Sequence, residues 1–140
     1  MNLLVDLDEI GEQDGARVGG KAIALAALHR AGQVVPPTLC LTTEAYELFV
    51  ANASLRAVIH QELGRKRFDD MRWEEIWDAA LRIRNRFLRA QIPDEITEIV
   101  DELLSGELVD RPLAVRSSAP GEDSGATSFA GLHDSFVGVR

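Results

Sequence analysis

The segment Arg111 to Arg140, RPLAVRSSAPGEDSGATSFAGLHDSFVGVR, constrains this chain more than any other. A short apolar strand pattern, Pro112 to Val115, ends on a permanent cation, Arg116, and two hydroxyls follow at once, Ser117 and Ser118. Turn formers and acids fill Ala119 to Thr127, and an extended pattern from Ser128 to Val139 brings the chain back. A strand that stops on an arginine beside a Gly- and Ser-rich loop presents charge to an anionic ligand. The same pattern suits a β-hairpin whose arginine only solvates its edge, so both readings stay open on these residues alone.

A second cationic feature lies near the N-terminus. Val18 to Ala31, VGGKAIALAALHRA, has the Ala- and Leu-rich body of a largely buried helix, and Gly32 stops it at the usual C′ position. Gly19, Gly20 and Lys21 therefore fall at a helix N-terminus. Gly15 with Gly20-Lys21 has the spacing of a P-loop. However, Ala22 stands where Mg²⁺ needs a hydroxyl, and a polar, Gly-punctuated stretch separates the helix from the first strand pattern, so that reading is rejected. What remains is a helix N-terminus, which attracts anions, carrying a lysine that can reach a phosphate.

The other elements follow in order. Asn2 to Leu7 reads as a strand, and Asp8 to Arg17 as a loop. Val34 to Thr42 is extended, entered through Pro36-Pro37. Thr42 or Thr43 can cap a helix from Glu44 to about Asn52, and a further helix spans Ser54 to about Leu63. Asp70 can cap a long amphipathic helix to about Ala90, with Trp73, Ile76, Trp77, Ala80, Leu81, Phe87 and Leu88 on one face, and the two tryptophans read as a core or subdomain contact. Pro93 opens a last helix, which Gly106 ends.

With 140 residues the chain is long enough for one domain with a real core. Its 23 acids against 15 bases give a net charge of −8, which argues against nucleic acid or an anionic membrane as partner, while a few local cations can still hold a small anion. No basic, apolar leader and no window of roughly 18 apolar residues occurs, which points to the cytoplasm. Cys40 is the one cysteine, so no internal disulfide forms, and its apolar setting suits a small buried hydrophobe. His29, His60 and His133 show no triad spacing with a serine. His133-Asp134 lacks a second ligand cluster, and Glu122-Asp123 sits in a solvated turn. No metal site is expected within the chain.

Four blocks in one order carry a family resemblance: Val18-Gly19-Gly20-Lys21; Val35-Pro36-Pro37 with Leu41-Thr42-Thr43-Glu44-Ala45-Tyr46; Ala114-Val115-Arg116-Ser117-Ser118-Ala119 with Glu122-Asp123; and Ser128-Phe129-Ala130-Gly131. The chain resembles the N-terminal nucleotide-binding region of the phosphoenolpyruvate synthase and pyruvate phosphate dikinase family, a region that rifampin phosphotransferases share. The resemblance implies an α+β fold, the N-terminal part of an ATP-grasp-like domain, with a mixed sheet and packed helices. It implies that residues 1–140 are one module and a fragment of a longer protein. It carries phosphate contacts to Lys21 and Arg116, and it places Gly131 and Ser135 in a loop over ATP. The order of these parts agrees with the chemistry, since two cations and a helix N-terminus neutralise a triphosphate.

Some positions depart from the family pattern: Thr38-Leu39 where Gly-Phe is usual, Pro120 for a threonine and Leu132 for a glutamine. The adenine pocket, the acidic Mg²⁺ ligands and the phosphorylated histidine of the family belong to downstream domains, so no complete catalytic site is expected here. The implied parent moves a phosphoryl group from ATP, through that histidine, to pyruvate or another small-molecule acceptor. The rival expectations are a non-catalytic, degenerate or regulatory module that binds anions or a partner, and a structural domain assembled through the Trp73/Trp77 helix.

Overall fold

A computed structural model describes residues 2–106, 108–121, 123–124, 127–128 and 133–139. The chain divides into two compact units, Met1–Tyr46 with Glu95–Arg140, and Glu47–Asp94.

In the first unit, β1 (Leu4–Asp6) pairs antiparallel with β2 (Leu39–Leu41), Val5 opposite Cys40. Val5 turns inward and Asp6 outward, as a strand with one covered face requires. Asp6 then accepts the Asp8 N–H at 3.1 Å and starts a single 3₁₀ turn, Leu7–Glu9. A second such turn, Glu12–Asp14, leads into α1 (Gly15–Arg30). Val5, Leu7, Ile10, Val18, Ala22 and Ala26 form one buried cluster, with Ile23, Leu25, Val35 and Cys40 packed on it. Small residues at 22 and 26 let α1 lie close to this layer. Gly32 ends the helix with φ 76°, and its N–H donates to the His29 carbonyl at 2.9 Å, which is the αL stop the sequence indicates.

Thr42 is buried, but its hydroxyl donates to the Asn2 carbonyl at 2.8 Å and so ties β2 to the N-terminus. The Thr43 hydroxyl goes to the Ala16 carbonyl at 3.4 Å. Thr42 stands just before α2 (Thr43–Asn52), where the sequence places the cap, and its carbonyl accepts the Ala45 N–H at 3.0 Å. The rest of this unit holds most of α5 (Asp94–Ser105) and the strands β3 (Leu113–Arg116), β4 (Asp123–Ser124), β5 (Thr127–Ser128) and β6 (Ser135–Val139). β3 and β6 pair antiparallel, and β4 pairs with β5. The register slips between Leu113 and Ala114, where Gly138 (φ 69°) is the extra residue of a bulge. The fold is therefore α+β, but it corrects the expected mixed sheet: the described strands form three separate two-stranded antiparallel ladders.

In the second unit, α3 (Leu55–Leu63) packs on α4 (Trp73–Arg89). Leu55, Val50 and Ala79 are buried, and Phe49 meets Phe87 edge-on at 5.9 Å between centroids. Glu62 lies buried between Arg65 and Arg82, both at 2.8 Å, and the Arg82 hydrogen bond holds its carboxyl below the usual range. α4 starts later than the sequence suggests. Asp70 falls in a 3₁₀ turn, and the Arg72 N–H is instead taken by Glu75 at 2.8 Å. The tryptophans also differ from expectation: Trp73 and Trp77 meet each other in a tilted contact at 5.5 Å between centroids and stay 68% and 60% exposed.

Candidate functional site

The site begins with a break in α1. Gly19 adopts φ 77°, ψ 170°, so one helical turn ends at Val18 and the helix restarts at Gly20. Only glycine tolerates that backbone well. The paired glycines before Lys21 thus create a fresh helix N-terminus inside what is otherwise one helix.

The loop leaving β3 docks on this break. Ser118 Oγ donates to the Val18 carbonyl at 2.7 Å and accepts the Ala22 N–H at 3.1 Å. One hydroxyl therefore satisfies the last carbonyl before the break and a first-turn amide after it, which is a helix cap supplied from almost a hundred residues away. The two backbones touch so closely that a Cβ on Gly19 would sit 1.9 Å from the Ser118 carbonyl oxygen and 2.9 Å from the Ala119 carbonyl carbon. Glycine at position 19 is required both by conformation and by space. The Val18 carbonyl also receives the Cys40 S–H at 3.9 Å, which links β2 to the same point, and burial pushes the Cys40 thiol up. That thiol is therefore a poor nucleophile and a poor metal ligand.

This docking brings two expected site residues to one place in the chain path. Lys21 is the second residue of the restarted helix and is half-buried; Arg116 ends β3 two residues before Ser118 and is exposed. Ser135, a third expected residue, lies directly opposite Arg116 in the β3–β6 ladder. Directly opposed residues in such a ladder carry their Cβ atoms about 4.5–5.5 Å apart. Gly131, the fourth, lies outside the described residues, as does Glu122. Among the described residues no group of three or more His, Cys, Asp or Glu side chains is placed to hold a metal ion.

These parts offer positive charge and oriented N–H groups. A restarted helix presents its dipole's positive end, Lys21 lies in its first turn, and Arg116 stands two residues before the Ser118 clamp. Positive charge and first-turn amides of this kind are what an extended anion requires of a site. Sequence reasoning did not assign Ser118 this role. The signal was there in a hydroxyl pair directly after a strand-end arginine with no local helix to cap, yet the helix it caps lies far away in sequence.

The model of the family "Pyruvate phosphate dikinase, AMP/ATP-binding domain" matches residues 15–140. The chain belongs to this family. It is 37% identical over 143 residues to the phosphoenolpyruvate synthase of Aeropyrum pernix, a match covering 99% of this chain and 17% of that protein. It is 36% identical over 137 residues to the rifampicin phosphotransferase of Streptomyces sviceus, covering 97% and 16%. A probable phosphoenolpyruvate synthase of Methanocaldococcus jannaschii is 31% identical over 146 residues, covering 100% and 12%. The chain therefore spans less than a fifth of the length of these relatives. The family match begins at Gly15, the first residue of α1, and takes in the Gly19 break, the β3 arginine and the Ser118 clamp. No helix among the described residues is long and apolar enough to cross a membrane.

Proposed function

We propose that this chain is the phosphate-holding portion of an ATP-dependent phosphotransferase, with residues 1–140 forming the N-terminal part of a longer, ATP-grasp-like domain. Membership of an AMP/ATP-binding domain family supports the ligand class, and the small share of each relative that the chain covers supports a place within a longer protein. The observation that carries the assignment of residues is the Ser118 clamp. It fixes the loop that follows Arg116 against the helix start that bears Lys21.

In this reading the Lys21 ammonium and the Arg116 guanidinium contact phosphate oxygens, and the first turn of the restarted helix faces the same charge. Ser135, across the ladder from Arg116, and Gly131 line the loop over the nucleotide. ATP supplies the transferable phosphoryl group, and Mg²⁺ is held by carboxylates of downstream domains, outside residues 1–140. The protein's part is to position and neutralise, which is most of what phosphoryl transfer asks of it. Transfer through a histidine elsewhere in a longer protein, to pyruvate or another small acceptor in the cytoplasm, completes the proposal. The relatives named as phosphoenolpyruvate synthase and rifampicin phosphotransferase support a small-molecule acceptor.

Calorimetry on residues 1–140 tests the proposal. A few phosphate contacts must offset the entropy of binding, so a Kd of about 1 mM or weaker, roughly −4 kcal/mol, is expected. Lys21→Ala and Arg116→Ala should each remove the signal while the far-UV circular dichroism spectrum stays that of the folded chain. Binding untouched by both substitutions would refute the residue assignment, and micromolar binding would refute the partial character of the site.

A further inference from the structure

The second unit holds an apolar cavity of about 330 Å³ that has no part in the proposed phosphate site. Leu63 at the end of α3, Phe68 and Met71 in the connection, and Ile76 and Ile83 of α4 line it. The space follows from the sequence of α4. Ala79 and Ala80 fall between the two isoleucines on the same stripe of the helix, and they leave room that larger side chains would fill. Leu63 and Phe68 stay exposed beside it, so apolar surface of both is left for something to cover.

Protein interiors otherwise pack as densely as organic crystals, and the walls of an open cavity forgo contacts. Walls without polar groups hold water poorly, while a volume of this size is that of a small-molecule site. At about 30 Å³ for each non-hydrogen atom, a water's share of liquid volume, the cavity takes about ten such atoms. Met71 is unbranched and can adapt to the shape of what enters.

Arg84 is the one charged side chain that lines the cavity, and it is exposed, so its guanidinium stands where the cavity meets solvent. The basic residues near it in the fold have acids of their own: Arg65 and Arg82 share Glu62, and Lys66 takes Glu75. Among the described residues Arg84 has neither an ion pair nor a hydrogen bond. We propose that this cavity binds a small amphiphilic carboxylate, an apolar body of roughly seven or eight carbons whose carboxylate meets the Arg84 fork at the rim. The apolar body gives most of the affinity, and the guanidinium orients it and selects its charge. An inorganic anion leaves the cavity empty and gains little from one exposed cation.

Met71 is the one methionine besides Met1, so methyl-labelled methionine puts a single reporter in the cavity of the 140-residue chain. Sodium octanoate should move the Met71 methyl signal along a saturation curve with a Kd of about 0.1–1 mM, the affinity within reach of about ten atoms. Octanol should bind about threefold more weakly and octylammonium about tenfold, since an exposed charge contributes no more than that. Arg84→Glu should invert the order, with octylammonium tighter than octanoate, a gain that an unfolded variant could not show. Ala80→Leu should fill the cavity and abolish the shift while the circular dichroism spectrum stays that of the folded chain. A Met71 signal fixed up to about 20 mM octanoate would overturn the proposal. So would equal affinity for the three ligands, an order unchanged in Arg84→Glu, or undiminished binding by Ala80→Leu.

Discussion

Replacing Gly19 by alanine should break the clamp that assembles the site. The new Cβ would lie 1.9 Å from the Ser118 carbonyl oxygen, where contacts below 3.0 Å essentially never occur, so the two backbones must part by about 1 Å. The positive φ of 77° adds about 1–3 kcal/mol of backbone strain for any residue with a side chain. Parting the backbones loses the Ser118 bonds to Val18 and Ala22, about 0.5–1.5 kcal/mol each. The sum is about 2–6 kcal/mol; at a urea dependence of about 2 kcal/mol/M, this lowers the midpoint of the first unit by about 1–3 M. Two other glycines provide the controls. Gly32 has φ 76° but open space around its Cβ, so Gly32→Ala should cost only the strain, about 1–2 kcal/mol. Gly15 has neither, and Gly15→Ala should be neutral or stabilising by up to about 1 kcal/mol. Both tryptophans lie in the second unit, so indole fluorescence misses this transition. Far-UV circular dichroism with amide exchange over residues 20–30 reads it. If Gly19→Ala proves no more costly than Gly32→Ala, the close approach to Ser118 is not what holds the loop.

Further outcomes follow from the same contacts. Ser118→Ala removes a donor and an acceptor together and should cost about 1–3 kcal/mol, measured in the same urea titration. The Glu62 carboxyl is lowered from 4.5, first by its Arg82 hydrogen bond, so its contribution is fully present above about pH 4.5. That contribution is lost as pH falls through the lowered folded value; Glu62→Gln should therefore melt with a shallower acid limb than wild type, and an identical limb would exclude this role. Arg116→Lys keeps the charge but loses the fork. In a full-length enzyme it should lower kcat/KM for ATP by about 10²- to 10³-fold with an unchanged melting temperature, whereas an edge arginine would cost less than about twofold.

Much of this architecture was legible in the chain because its signals are local. The Ala- and Leu-rich run of α1 and its Gly32 stop, the amphipathic pattern of α4 and the return of β6 onto β3 all follow from neighbouring residues. The start of α2 was legible to within a residue, whereas that of α4 was misplaced: Asp70 lies in a 3₁₀ turn, and the Arg72 amide takes Glu75 instead. The family resemblance, not the local pattern, supplied the expectation of one mixed sheet, and pairing between distant strands leaves no local signature to correct it. Gly19-Gly20-Lys21 was legible as a helix start, yet the turn of helix before it was not, since Gly15 argues against helix on propensity. Trp73 and Trp77 read as core because aromatic residues on a helical stripe usually are, and their exposure depends on what packs beside α4.

The central claim is that the Gly19 break, its Ser118 clamp and Arg116 form one anion site, and amide NMR on the labelled chain tests it most directly. Titrating ATP, and separately tripolyphosphate, into residues 1–140 should move the backbone signals of residues 20–22 and 116–118 together, along one saturation curve. Those of α4 should stay still. Tripolyphosphate should reproduce most of the shifts, since the groups described address phosphate. Signals from 20–22 and 116–118 that stay fixed at about 10 mM ligand, or that move along different curves, would contradict the account.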